Sequence, residues 1–245
     1  MGIDNQKTSF EHQSLEVSML DKDNFSDEEL DSYLSKGEIK ATDKVTIPPK
    51  ILFVGDCTIA TFGNFSASTG KAKSKKTFNI SAMVAAAVTN STVLNYRACL
   101  PEGKRNILYF DTEQSKFHCH SVLERIYKLS GLSLKEDDPR LMFWGLREYT
   151  PKLRIAVIDY ALRKYDEVGL VIIDGLRDLM YDINNGKEAT DVMTVLMAWT
   201  SVYELHIHTV LHLNKNDNNP RGHIGTELEN KAETVLIISK NTMNN

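Results

Sequence analysis

Gly70-Lys71-Ala72-Lys73-Ser74-Lys75-Lys76-Thr77 reads as a phosphate-binding loop with one residue out of pattern. The pattern asks for a glycine, four residues, then glycine, lysine and serine or threonine, and here Lys75 stands in the second glycine position. Such a loop surrounds a polyphosphate with consecutive backbone N–H groups and the N-terminus of the following helix. In that register Lys76 reaches the β- and γ-phosphates and the Thr77 hydroxyl holds Mg²⁺, with Gly70, Lys73, Ser74, Lys75 and Phe78 completing the nucleotide-binding set. The alternative register, pairing Gly70 with Lys71, fails because Ala72 has no hydroxyl for the metal. A side chain at position 75 has to point away from the phosphates. The competing reading is a plain basic surface loop, since Lys71, Lys73, Lys75 and Lys76 also make ordinary solvated charge. The flanks agree with the motif, since residues 63–67 read as a strand and 78–89 as an apolar, alanine-rich helix, but on this loop alone the two readings stand level.

Three further segments carry polar groups at strand ends. Residues 169–174 form a short apolar run that ends in Asp174, the pattern of a buried parallel strand. Its carboxylate emerges where open α/β sheets place their ligands, and it is the second candidate for Mg²⁺. Residues 106–113 deliver Asp111 and Glu113 at a strand tip. Asp111 caps the turn in the simplest reading, whereas Glu113 is placed to polarise an attacking water. Residues 209–215 form a fourth apolar strand, which brings His212 toward the terminal phosphate.

The succession of Gly70–Thr77, Asp111-Thr112-Glu113, Ile172-Ile173-Asp174 and Leu211-His212-Leu213-Asn214-Lys215 resembles a RecA-type P-loop ATPase core. Within that superfamily it is similar to the RepA-like and DnaB-like replicative helicases. Asp174-Gly175-Leu176-Arg177-Asp178-Leu179 and the histidine at 212 resemble the RepA-like branch, which senses the γ-phosphate with histidine. The phrase Gly-Lys-Ala-Lys-Ser-Lys-Lys-Thr-Phe is similar to ATPases of mobile elements and prophages of Bacteroides-type bacteria. The resemblance covers roughly residues 50 to 240. It implies a RecA-like α/β fold and ATP hydrolysis with Mg²⁺, coupled to movement on single-stranded DNA. It also implies a homo-oligomeric ring such as a hexamer, working beside a primase or relaxase of the same element. The catalytic set would be Glu113, Lys76 and His212. A trans-acting finger would come from Arg221, Lys231 or Lys240. The chain stops after Ile237-Ile238-Ser239-Lys240 and a short polar tail, where relatives add strands; a naturally short protein and a truncated form both fit.

Composition agrees with an ordinary globular chain: 245 residues, 42% hydrophobic and 25% charged, enough for one sizeable core. No run approaches the length of a membrane span, and the polar start Met1–Gln6 lacks a signal-peptide pattern. Met1-Gly2 is not followed by the serine or threonine that myristoylation needs. Cys57, Cys99 and Cys119 are scattered and odd in number, the usage of reduced thiols in a cytoplasm. His118-Cys119-His120 has no partner cluster at metal-site spacing and reads as a helix-borne coincidence.

Residues 1–49 hold 11 acidic and 5 basic residues, a net of −6, against +2 for the remainder. This acidic segment is poor in large apolar residues and is expected to be partly disordered, with one short helix opened by the capping box Ser26-Asp27-Glu28-Glu29 and stopping near Gly37. Docking on a neighbouring subunit or another replication protein, and a solvated leader of no specific role, are equal readings of it. Pro48-Pro49 marks the boundary to an ATPase domain over 50–245. There, helical periodicity over 117–129, 153–165 and 189–203 alternates with strands such as 141–144, which predicts a mostly parallel sheet with helices on both faces. Residues 182–188 and 214–225 read as loops. The resemblance to RecA-type motors makes Lys215 and Arg221, in the loop after His212, the candidate contacts to a DNA backbone. The net charge of −4 argues against a generally basic face, so such contact would be confined to a channel.

Overall fold

The computed structural model describes residues 25–72, 74–213 and 222–240. The chain divides into two units, Met1–Thr46 and Ile47–Asn245. In the first, α1 (Asp27–Gly37) forms where the capping box directs: the Ser26 hydroxyl accepts from Glu29 N–H, and the Glu29 carboxylate accepts from Ser26 N–H. No residue of α1 is buried.

Among its described residues the second unit holds two sheets. The smaller is antiparallel and was not anticipated from the sequence. Its strands β1 (Lys50–Val54), β2 (Cys57–Thr61), β4 (Thr92–Val93) and β5 (Tyr96–Ala98) lie in the order β2-β1-β5-β4. The larger has six strands: β3 (Phe65–Gly70), β6 (Asn106–Asp111), β7 (Leu141–Gly145), β8 (Val168–Asp174), β9 (His206–His212) and β10 (Thr234–Ile237). Their order is β10-β3-β9-β8-β6-β7, and every pairing is parallel. The helices are α2 (Lys76–Thr89), α3 (Lys116–Ser130), α4 (Pro151–Lys164), α5 (Gly186–Val202) and α6 (Gly222–Lys231). The mixed α/β fold expected from the sequence, a parallel sheet flanked by helices, is the fold observed.

Strand alternation sorts the core into two layers. Ile107, Tyr109, Leu170, Ile172 and Val210 bury one face beneath α2, α3 and the small sheet. Leu108, Phe110, Val171, Ile173, Ile207 and Leu211 bury the other beneath α4, α5 and α6. The same parity places Gly70, Asp111, Asp174 and His212 on the α2 side. Register then levels them, with Gly70 opposite His212 and Asp111 opposite Asp174. Parts of two expected loops are helical, and residues 214–221 of the second lie outside the described residues. Asn185 caps α5 through its side chain, so residues 186–188 are helical, and α6 takes residues 222–225. Both helices begin with glycine, and sequence signals of that kind blur a helix start by a turn.

Candidate functional site

The phosphate loop leaves β3 at Gly70 and enters α2 at Lys76. Gly70 is needed for space, since a Cβ there would meet the Ile238 carbonyl oxygen at 2.5 Å and Ser74 Oγ at 2.6 Å. Lys75 adopts the left-handed conformation, φ 68° and ψ 29°, that glycine takes without strain. Its side chain is exposed, so at this position the backbone takes a glycine-like conformation despite the lysine. Ser74 Oγ is buried and has no hydrogen-bond partner among the described residues. Lys73 lies outside the described residues.

Lys76 is 6% exposed and its three ammonium protons are all engaged. Nζ donates to the Gly70 carbonyl at 2.8 Å, to the Lys71 carbonyl at 3.1 Å and to His212 Nδ1 at 2.9 Å. Burial lowers its pKa below the ordinary lysine value, opposed by the negative charges of Glu113 and Asp174. Because Nδ1 of His212 accepts, a neutral ring carries its proton on Nε2, which lies 3.6 Å from Glu113 Oε2. The contact to His212 holds the Glu113 carboxylate below its usual range, although burial pulls the other way.

Asp174 is 7% exposed and accepts from the Tyr109 hydroxyl at 2.9 Å. Burial and the neighbouring Asp111 push its pKa up to about 7. Asp111 is fully buried and accepts from Glu113 N–H at 3.0 Å, Gln114 N–H at 2.7 Å and Gln114 Nε2 at 2.6 Å. It therefore caps the turn that presents Glu113. Among the described residues no group of three or more His, Cys, Asp or Glu is placed to hold a metal. Mg²⁺ keeps most of its shell for water and phosphate oxygens and takes only one or two protein groups. Thr77 and Asp174 line one cleft, and among the described residues the Asp174 carboxylate accepts a hydrogen bond from the Tyr109 hydroxyl alone, so the donors present fit Mg²⁺ bound together with a phosphate. His118, Cys119 and His120 sit on α3, where His118 meets Ser115 Oγ, His120 approaches Glu124, and the Cys119 thiol faces the Gln114 carbonyl.

The cleft measures about 490 Å³. It brings together Ser74 through Phe78, Glu113, Asp174 and His212. Gln114 and Arg125 also line it, and the sequence reading missed both. Gln114 had a signal in its place beside Glu113. Arg125 had none, because only the packing of α3 on α2 brings its guanidinium to 3.4 Å from Ser81 Oγ. Lys231 ends α6 paired with Glu227 at 2.7 Å, and Lys240 follows β10; neither lines the cleft, nor would a group serving a neighbour's nucleotide. Lys215 and Arg221 lie outside the described residues.

A family model described as an AAA domain matches residues 41–218, and the chain belongs to that family. No curated protein matches the chain. Fold and family together make the core a P-loop ATPase type, the coarse part of the expectation drawn from the sequence. Among the described residues no helix is long and apolar enough to cross a membrane.

Proposed function

We propose that this AAA-domain protein is a Mg²⁺-dependent ATPase that moves on single-stranded DNA, a helicase or translocase of replication or mobilisation of the RepA-like or DnaB-like kind. The observation that carries the ATPase reading is the contact chain Lys76–His212–Glu113: the phosphate lysine, the γ-phosphate sensor and the carboxylate for water share one cleft. Incoming ATP offers phosphate oxygens to the Lys76 ammonium, which exchanges its bond to His212 for them. The freed imidazole then faces the terminal phosphate, and the ionised Glu113 carboxylate accepts a hydrogen bond from the attacking water and orients it in line. Thr77 and Asp174 are the residues that would hold Mg²⁺, whose charge offsets that of the phosphates. Support for the DNA side is the order of the four segments along the chain. The homo-oligomeric ring, the primase or relaxase partner, DNA contact by Lys215 and Arg221, and a trans-acting Arg221, Lys231 or Lys240 belong to the same proposal.

The test is ATP turnover by protein of measured oligomeric state, with and without single-stranded DNA. Lys76→Ala should abolish turnover while Lys71→Ala keeps most of it; equal loss at both would show the wrong lysine was chosen. Glu113→Gln should bind nucleotide yet hydrolyse it about 10²-fold or more slowly. DNA-stimulated turnover without strand displacement would place the protein among non-unwinding loaders or recombinase-like ATPases. No binding of nucleotide at all would leave an assembly module.

A further inference from the structure

Arg154 stands outside the cleft and carries no role in the reading above. It sits on the first turn of α4, where the helix dipole disfavours a positive charge, and it is 9% exposed. A buried guanidinium needs its donors satisfied, and Arg154 satisfies them on main-chain carbonyls alone. Nε donates to Leu146 O at 3.0 Å, Nη1 to Asp178 O at 2.6 Å, and Nη2 to Arg147 O at 2.8 Å and to Thr112 O at 3.3 Å. Those four carbonyls belong to three separate segments: the ends of β6 and β7, and the short 3₁₀ turn Leu176–Leu179 after β8. One planar fork therefore ties together the three chain segments that leave neighbouring strands beside the cleft.

The Thr112 bond matters most. The Thr112–Glu113 peptide is held at its carbonyl by Arg154 and at its N–H by Asp111 Oδ1. Thr112 Oγ1 lies within 3.0 Å of three acceptors, Asp174 O, Gly175 O and Asp178 Oδ2. Gly175 leaves the room for this, because a Cβ there would overlap Thr112 Oγ1. With both ends of its own peptide fixed, the Glu113 backbone has one position relative to the phosphate loop.

We propose that Arg154 is a positioning residue for hydrolysis, acting through the Thr112 carbonyl to set where the Glu113 carboxylate stands. This rests on Glu113 being the group that orients the attacking water. Lysine offers charge without the fork, so it cannot reach four carbonyls on three segments. The experiment uses the full chain and measures kcat, KM and equilibrium binding of a fluorescent ATP analogue for the parent, Arg154→Lys and Arg154→Ala. Each is made in both the Glu113 and the Glu113→Gln backgrounds. Arg154→Lys should lower kcat about 10- to 10²-fold, the effect of misplacing a catalytic group by an ångström or so, with analogue affinity unchanged. In the Glu113→Gln background the same substitution should lower kcat no further. Methylguanidine added to Arg154→Ala should restore part of the loss.

Equal fold-losses of kcat in the two backgrounds would overturn the proposal, as would a loss of analogue affinity that parallels the loss of kcat. An Arg154→Lys protein that does not fold would assign the residue to folding and overturn it too; if only Arg154→Ala fails to fold, the lysine variant carries the test. A parent that binds the analogue but hydrolyses no ATP overturns the ATPase reading and this proposal together. A parent that hydrolyses ATP beside an unchanged Arg154→Lys overturns this one alone.

Discussion

Lys75 shows how a residue can break a sequence pattern and keep its geometry. Its left-handed backbone costs a non-glycine residue on the order of 1–2 kcal/mol. Glycine at that position would remove the strain but gain freedom in the unfolded chain, worth about 0.4–1 kcal/mol against folding. Lys75→Gly should therefore leave stability equal or slightly higher. Lys75→Val, with a branched Cβ in the same conformation, should lower it by more than about 1 kcal/mol. Thermal melting of the nucleotide-free protein checks the order Gly, Lys, Val; a valine variant as stable as the parent would show that the loop is free to abandon the conformation. The pattern of the motif was legible because the lysine and threonine that follow the deviant position are chemical requirements. Arg154 and Arg125 were illegible for the opposite reason: their partners are backbone or hydroxyl groups on distant segments, which leave no trace in local spacing.

Strands β3 and β9 share a buried polar ladder on the α2 face. His206 Nδ1 lies 2.8 Å from the Thr61 carbonyl, so it must donate, and Nε2 of the neutral ring must accept from Ser66 Oγ at 2.7 Å. Ser66 has then spent its one proton, so His208 Nδ1 donates to Ser66 Oγ at 2.7 Å, and Ser68 Oγ donates to His208 Nε2 at 2.9 Å. Every proton in the ladder points one way. Burial lowers the pKa of His206 to about 4 and that of His208 to about 3, from an ordinary 6.5. Between those values the unfolded chain binds more protons than the folded one. The contribution of these rings to stability is thus complete above pH 6.5 and is lost as pH falls from there toward 4 and below. Melting temperature measured across that range should fall with pH, and more shallowly once His208 is replaced by Gln. An identical slope in the variant would move the acid sensitivity elsewhere. Ser66→Ala should cost more than about 1 kcal/mol at neutral pH, because it strands a donor and an acceptor in the core. The apolar runs of β6, β8 and β9 were readable in the sequence, as were the main helices, because burial on both faces of a parallel sheet demands such runs. Cys57–Thr61, Thr92–Val93 and Tyr96–Ala98 were not: they are short, partly exposed and half polar, and they become strands only by pairing around β1.

The two sheets together enclose α2. One side of the helix lies on the parallel sheet, another is covered by the antiparallel one, and Ile80 through Val88 are buried without a break. A helix buried on all sides is hydrophobic all round, and Ile80-Ser81-Ala82-Met83-Val84-Ala85-Ala86-Ala87-Val88 has that composition but for Ser81, which returns its hydroxyl to the Thr77 carbonyl. Hydrogen exchange should find the amides of α2 among the slowest in the molecule and those of α1, with no buried residue, among the fastest. Exchange of α2 as fast as that of α1 would mean that the small sheet detaches readily. An enclosed α2 also decides which wall of the nucleotide site is able to travel. The enclosed helix acts as a stator, a fixed reference at one wall of the cleft. The rotor, if the protein is a motor, has to be the opposite wall of His212, Glu113 and the segments gathered by Arg154, so any force that nucleotide generates leaves the site on that side.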